Sequence, residues 1–201
     1  MCVKDKIENK LNEIAERSNG VITAEVLAEN GFSKYFIRKL ERNGSIYKYH
    51  HGIYLADGFL PDDYYLFQNI YKDTVFSFGT AMYLHGFSKR TPEAFDITVY
   101  SGYGTRDFDY PVNVHYVKKK FLDLGKTTVT TSYGNSVYCH DLERIFCDLC
   151  RFTGTGVDKD ESNGFMKKVI ADGLIDPVRL FDYAEKLNCM KKVRNVTEVL
   201  I

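Results

Sequence analysis

The residues with the clearest potential for chemistry lie in a short basic segment between Ser33 and His51, where Glu41 is the only acid. Arginine can form paired hydrogen bonds with guanine, and lysine and arginine neutralise phosphates. The segment therefore predicts contact with double-stranded DNA. The residues predicted to bind DNA are Ser33, Lys34, Tyr35, Arg38, Lys39, Arg42, Lys48, His50 and His51. Of these, Lys34, Tyr35 and Arg38 are expected nearest the base edges.

Two short helices and a hairpin are predicted to position these side chains. Thr23 can cap a first helix that stops at Asn30, and Ser33 can cap a second that stops at Asn43, each stop being followed by glycine. A preceding helix over Lys4 to Arg17 would complete a three-helix core. This order predicts a winged helix-turn-helix, in which the second short helix enters the major groove.

The predicted second helix has two distinct faces. At about 100° per residue, Phe36, Ile37 and Leu40 fall on one side and the basic residues on the other. In the segment after this helix, the side chains alternate in character on both sides of a turn at Tyr49 to Gly52. This pattern predicts a β-hairpin, which would be the wing of the domain. Lys48, His50 and His51 at its tip would touch the DNA backbone or the minor groove. The same basic face could also be merely solvated, or serve a protein partner.

Composition limits the alternatives. The chain has 201 residues, with 27 basic and 27 acidic side chains, so no global field attracts nucleic acid or a membrane. It has no apolar run long enough for a membrane span, no signal-peptide core, and five scattered cysteines that do not suggest a disulfide framework. We therefore expect a cytoplasmic protein that does not associate with a membrane.

The pattern changes after a Gly- and Pro-containing stretch, Ala56 to Pro61, which we interpret as a linker. Residues 1–58 would form the winged helix-turn-helix domain and residues 61–201 a second domain. In that second part, strand patterns are mixed with helices that concentrate toward the C-terminus. The predicted fold class is therefore α+β: a winged helix-turn-helix followed by a mixed α/β domain with a C-terminal helical portion. One mobile loop is expected, at TGTGVDKDESNG.

Several side chains in the second domain could carry other chemistry. Cys139, His140, Cys147 and Cys150 are of zinc-ligand types, but two of these cysteines lie one turn apart on an apolar helix, so buried thiols are favoured over metal. In the cluster of Asp141, Glu143, Arg144 and Asp148, Asp141 can cap a helix and Arg144 can pair with Asp148. His85 stands at a helix end, where a protonated histidine is favourable. The residues predict no catalytic role, no metal and no cofactor.

The remaining candidate is a second surface that touches nucleic acid or another ligand. Backbone amides of the glycine-containing turn Ser101 to Arg106 could hold a phosphate, with Arg106 assisting. The lysine run Lys118, Lys119 and Lys120 could extend that surface. A plain turn and solvated lysines are the alternative interpretation.

The chain resembles the AbiEi family of type IV antitoxins from bacterial abortive-infection systems. The resembling segments, in order, are GVITAEVLAENGFSKYFIRKLERNGSIYKYHHGIYL, VFSFGTAMYLHGFSKRTPEAFDITV, YGNSVYCHDLERIFCDLCR and AEKLNCMKKVRNVTEVL. Two positions depart from the family pattern: Phe78, where many relatives have an acid or histidine, and Ile145, where they tend to have threonine.

The resemblance implies a repressor of its own toxin-antitoxin operon, with DNA contacts on Ser33 to Arg42 and on the wing around Lys48 to His51. It implies a C-terminal domain that opposes a nucleotidyltransferase-like toxin without a stable complex, as part of phage defence. We expect operator DNA with an inverted repeat and a possible dimer on it. The alternative is a nucleic-acid-processing or nucleotide-transfer enzyme with a DNA-binding head, for which Asp96 and Asp148 would be the acids to test.

Overall fold

The fold is α+β, as the sequence predicts, with several helices and two separate sheets. The structure, a computed structural model, describes residues 3–104, 107–152 and 157–200. The chain divides into two compact units, the first comprising residues up to Lys72 together with Thr130–Val137 and the second the remainder. Within the described ranges, no helix is both long and apolar enough to cross a membrane.

The first unit contains four helices and three short strands in its described residues. In chain order they are α1 Val3–Arg17, β1 Val21–Thr23, α2 Ala24–Glu29, α3 Lys34–Arg42, β2 Ile46–His50, β3 Ile53–Ala56 and α4 Asp63–Ile70. The strand β1 has no counterpart in the sequence prediction, because three residues are too few to show an alternating pattern.

A three-helix core and a small sheet position α3. Leu11 and Ile14 of α1 are buried with Leu27 of α2 and with Ile37 and Leu40 of α3 in one apolar cluster. The sheet has the order β1-β3-β2, and both pairings are antiparallel. The structure confirms the predicted helix boundaries. They were predictable because the capping residues and the apolar stripe specify the same ends.

The segment expected to be a linker falls inside the first unit. Leu66 of α4 is buried in a cluster with Val21 and Ile53. Asp62, which caps α4, is fully buried, and its Oδ2 atom accepts hydrogen bonds from Thr131 Oγ1 at 2.6 Å and from Asn135 Nδ2 at 2.9 Å. These contacts tie α4 to this unit, although the composition shift at residues 56–61 had suggested a boundary before it.

The second unit carries a five-stranded sheet and five helices in its described residues. In chain order they are β4 Val75–Phe76, α5 Phe78–Leu84, β5 Phe95–Tyr100, β6 Val112–Val117, a 3₁₀ turn Lys119–Phe121, β7 Lys126–Thr130, β8 Ser136–His140, α6 Leu142–Arg151, α7 Lys159–Ala171, α8 Pro177–Lys186 and α9 Met190–Leu200. The tip between β7 and β8 is counted with the first unit.

The larger sheet is mixed. Its order is β6-β5-β4-β8-β7, with β5 parallel to β6, β4 antiparallel to β5, and β4 parallel to β8. The register pairs Asp96 with Asn113 and Thr98 with His115. The strand pairings place polar residues from distant parts of the sequence side by side, which local patterns do not predict.

Part of the predicted mobile loop is helical. Residues 153–156 of that stretch lie outside the described residues, whereas α7 begins at Lys159. Asp158 caps α7 by accepting hydrogen bonds from the backbone amides of Asp160 and Glu161, and Phe165 and Val169 are buried farther along. The polar and glycine content of DKDESNG led to the wrong prediction, although Asp158 followed by two acids is a helix-start signal.

Candidate nucleic-acid interface

The helix α3 begins and ends where the sequence predicts. Ser33 Oγ accepts a hydrogen bond from the backbone amide of Phe36, and Gly44, at φ +77°, follows the C-cap Asn43. Because Ile37 and Leu40 are buried, the positively charged side chains of α3 are held on its outer face. Ser33, which is also among the residues predicted to bind DNA, therefore caps the helix as the sequence predicts.

Four of the predicted DNA-binding residues line one groove. Lys34 and Arg38 of α3 face Lys48 and His51 of the hairpin across a groove of about 390 Å³. Glu41, one turn farther along α3, is the only acid in its lining. Burial, followed by the charge of this glutamate, raises the pKa of Tyr54, which also lines the groove. The groove is rimmed by cations that come from both elements.

A second set of exposed side chains on α3 lies outside the groove lining. Tyr35, Lys39 and Arg42 are exposed and do not contribute to the groove lining. Tyr35 is 73% exposed and contacts only the edge of the Phe36 ring among the described ring pairs. An aromatic side chain this exposed on a basic helix is available to a ligand.

The β2–β3 hairpin is irregular and tightly turned. The register between β2 and β3 shifts between Lys48 and His50, which marks a bulge, and Gly52 closes the turn at φ +75°. A bulge increases the local twist of a hairpin and redirects its side chains. Here Lys48 and His51 are exposed, while His50 is half-buried and does not line the groove.

The second predicted surface is only partly described. Lys118, Lys119 and Lys120 are exposed at the end of β6, and Lys119 lies over the Tyr100 ring at 5.5 Å. Arg106 lies outside the described residues.

The described cysteines of the second unit are free thiols, and three of them, Cys139, Cys147 and Cys189, are buried. Among the described residues, no group of three or more histidine, cysteine or acidic side chains could hold a metal ion. Burial, followed by the charge of Asp141, raises the pKa of Cys139 to about 12, and burial and the neighbouring Cys189 raise that of Cys150 to about 12.

The polar cluster at the start of α6 has structural roles, as predicted. Asp141 caps α6 by accepting a hydrogen bond from the backbone amide of Arg144 at 2.8 Å, and Arg144 Nε lies 2.8 Å from Asp148 Oδ2. Glu143 Oε1 accepts a hydrogen bond from the backbone amide of Asp176. The Asp148 carboxylate is 1% exposed and is also bonded by Arg151, so it is enclosed rather than presented to a substrate.

His140 is the buried titratable group at the centre of this cluster. It is fully buried, and its Nδ1 atom lies 3.3 Å from Asp148 Oδ2. Burial and then the Arg144 charge lower its pKa from 6.5 to about 4. For Asp148, burial acts to raise the pKa, but the contact with His140 and the charge of Arg144 outweigh it and hold the pKa below its usual value. At neutral pH His140 is therefore uncharged beside an ionised Asp148.

The lowered pKa of His140 predicts a stability loss in mild acid. Between about pH 6.5 and 4 the unfolded chain binds a proton at His140 that the folded chain does not, so the free energy of unfolding decreases as the pH falls. The loss from this residue is about 3 kcal/mol at most. Urea unfolding at pH 7 and pH 4.5 should show a smaller pH-dependent loss for His140→Gln than for the wild type. Equal pH-dependent losses in the variant and the wild type would contradict this role, because protonation of Asp148 reduces the stability only at lower pH.

His85 is also close to this cluster. It is the C-cap residue of α5, and its Nε2 atom lies 2.9 Å from the carbonyl oxygen of His140 and 3.4 Å from Cys139 Sγ. The predicted position at a helix end is confirmed. Donation to the His140 carbonyl fixes the ring against the end of β8.

Comparison with known proteins identifies the fold alone. The sequence matches no protein-family model, and no curated protein is significantly similar to it. The structure is similar to the crystal structure of the RV2827C protein from Mycobacterium tuberculosis, with a TM-score of 0.65 and 13% sequence identity, over 98% of this chain and 76% of that one. At this level of sequence identity the similarity shows a shared fold and carries no information about activity.

Proposed function

We propose that the N-terminal unit binds double-stranded DNA, with α3 in the major groove and the β2–β3 hairpin as a wing. The observation that carries the proposal is the groove in which Lys34 and Arg38 face Lys48 and His51. The order α1-β1-α2-α3-β2-β3, with a three-stranded antiparallel sheet, is compatible with a winged helix-turn-helix. A lone basic helix would be weaker support, because such faces are commonly only solvated.

We assign the two sets of exposed side chains on α3 to different parts of the DNA. A helix in the major groove places a phosphate strand between itself and an adjacent wing, so we assign Lys34 and Arg38, with Lys48 and His51, to the DNA backbone. Tyr35, Lys39 and Arg42 are exposed but do not line the groove, and we assign them to base edges or the far strand. The sequence had placed Lys34 and Arg38 among the base readers.

On this basis we propose a biological role as an antitoxin that represses its own operon. The support is the resemblance to AbiEi antitoxins along most of the chain, together with a basic groove where that resemblance places the DNA contacts. The second unit would counteract a nucleotidyltransferase-like toxin without a stable complex. Two copies would bind an inverted repeat, since one groove offers few phosphate contacts.

This role is tested by measuring two effects separately: repression of the operon promoter and restoration of growth in the presence of the toxin. The full-length chain and its Lys34→Ala/Arg38→Ala/Arg42→Ala variant would each be expressed with the toxin expected beside this gene, with a reporter under the operon promoter. We expect the wild type to repress the reporter and restore growth. The variant should lose repression but still restore growth, because the three residues lie on the first unit alone.

A matched variant with three exposed lysines of the second unit changed, Lys89→Ala/Lys167→Ala/Lys191→Ala, should keep repression. Retained repression by the α3 variant would contradict the DNA-binding assignment. Failure of the wild type to restore growth would contradict the antitoxin assignment and leave the DNA-binding assignment standing.

A further inference from the structure

The second unit contains a cavity of about 410 Å³ that the proposed function does not use. Gly79 at the start of α5 and Asp96 on β5 line it, together with residues 90–94 and with Val157, Asp158 and Glu161. A volume of this size accommodates a small organic molecule.

Asp96 presents one unbonded oxygen at this wall. The residue is 5% exposed, and its Oδ1 atom lies 3.0 Å from His115 Nε2. Its backbone amide donates to Thr80 Oγ1, and its carbonyl accepts from the Ser77 amide. Oδ2 accepts no hydrogen bond from the described residues. Asp96 lines the cavity, and a donor group on a ligand there can reach this free oxygen.

The space beside that oxygen depends on Gly79. A Cβ atom at this position would lie 3.1 Å from Asp96 Oδ2 and 3.4 Å from Val157 Cγ2. Any side chain here would therefore crowd the carboxylate that faces the cavity. Glycine leaves room for a ligand atom at hydrogen-bond distance from Oδ2.

The carboxylate is held in place through a strained residue. Phe78 has a φ of +43°, which is rare for a bulky side chain, and its ring packs on His115 with centroids 4.0 Å apart. The imidazole is thereby fixed between the Phe78 ring and Asp96. Strain of this kind persists where the surrounding structure holds it, and it concentrates at functional sites.

The charge around the cavity favours a cation. Four acids, Glu93, Asp96, Asp158 and Glu161, line it against one base, Arg90. Arg90 forms an ion pair with Glu93, which leaves the other three acids in excess. The positive end of α7 does not reverse this, because Asp158 accepts hydrogen bonds from two of its first amides.

We propose that this cavity binds a small organic cation through a guanidinium or primary ammonium group that donates to Asp96 Oδ2. The acids at the α7 side would add long-range attraction, and Gly79 would set the depth of entry. The proposal is independent of DNA binding, because every residue that it uses belongs to the second unit.

Agmatine, which carries both cationic groups, is a suitable probe for isothermal titration with the full-length protein. We expect saturable binding by the wild type and at least a tenfold loss of affinity for Asp96→Asn, since a charge-assisted hydrogen bond is removed. Gly79→Ala should also weaken binding by filling the space beside Oδ2. Asp172→Asn, an exposed acid outside the cavity, is the matched control and should bind as the wild type does.

Two further measurements test agmatine binding at the same cavity if Asp96→Asn or Gly79→Ala folds poorly. Glu161→Gln alters a partly exposed side chain at the cavity and should lower agmatine affinity several-fold without loss of thermal stability. In the wild type, agmatine should shift the imidazole nitrogen resonances of His115. Absence of saturable agmatine binding, equal binding by a folded Asp96→Asn variant, or preferential binding of adenosine monophosphate would overturn the proposal.

Discussion

Replacing Lys34, Arg38 and Arg42 together with alanine should weaken binding to the DNA upstream of the operon by about 100-fold or more. All three side chains are exposed on α3, and the first two line the groove shared with the wing. Each arginine or lysine contact to DNA contributes about 1 kcal/mol or more, and about 1.4 kcal/mol corresponds to a factor of ten. Fluorescence anisotropy with a labelled upstream duplex at fixed salt measures the change.

The variant with Lys89, Lys167 and Lys191 changed to alanine removes the same charge from exposed positions of the second unit and should bind as the wild type does. Circular dichroism should show that both variants are folded, since none of the six side chains is buried. Equal affinity of the α3 variant and the wild type for the upstream duplex would refute the proposed interface.

Arg144→Ala should lower the free energy of unfolding by about 3 to 5 kcal/mol, the usual cost of leaving one member of a buried ion pair alone. Arg144 is fully buried, and its Nε atom donates to Asp148 Oδ2. Its Nη1 atom donates to the carbonyl oxygens of Phe121 and Leu124 at 2.9 and 2.7 Å. The truncation would leave the two carbonyls without this donor and the Asp148 carboxylate with only its contacts to Arg151 and His140. Urea unfolding at pH 7 measures the loss.

A double-mutant cycle separates this network from simple loss of packing. The variant Arg144→Ala/Asp148→Ala should lose clearly less than the sum of the two single variants, because the unpaired charge is removed with its partner. Arg151→Ala, which breaks a partly exposed contact with the same Asp148, is the matched control and should cost about 1 kcal/mol or less. Strictly additive losses would contradict the network.

The local features of the N-terminal unit could be predicted from the sequence because neighbouring residues determine them. Thr23 and Ser33 cap the expected helices, and Gly31 and Gly44 adopt positive φ values where each helix stops. The basic outer face of α3 follows directly from the burial of its opposite side. The predicted α+β class is confirmed. It could be predicted because helices and strands each have a characteristic periodicity of apolar residues in the sequence.

Features that depend on tertiary contacts could not be predicted in this way. The groove between α3 and the wing depends on how the hairpin folds back, so the sequence did not reveal that Lys34 and Arg38 face Lys48 and His51. Asp96 and His115 meet only because β5 and β6 pair in parallel, with an intervening segment between the two strands. No local pattern signals that contact, although Asp96 was singled out as an acid to test.

The salt dependence of DNA binding is the most direct test of the proposed interface. With about four or five phosphates neutralised per copy, the logarithm of the wild-type association constant should fall with the logarithm of salt concentration with a slope of about −4 for a single bound copy. The α3 triple variant should reduce the magnitude of that slope by about 2 to 3, and the variant at Lys89, Lys167 and Lys191 should leave it unchanged. The same slope for the α3 variant as for the wild type would place the phosphate contacts elsewhere and contradict the account.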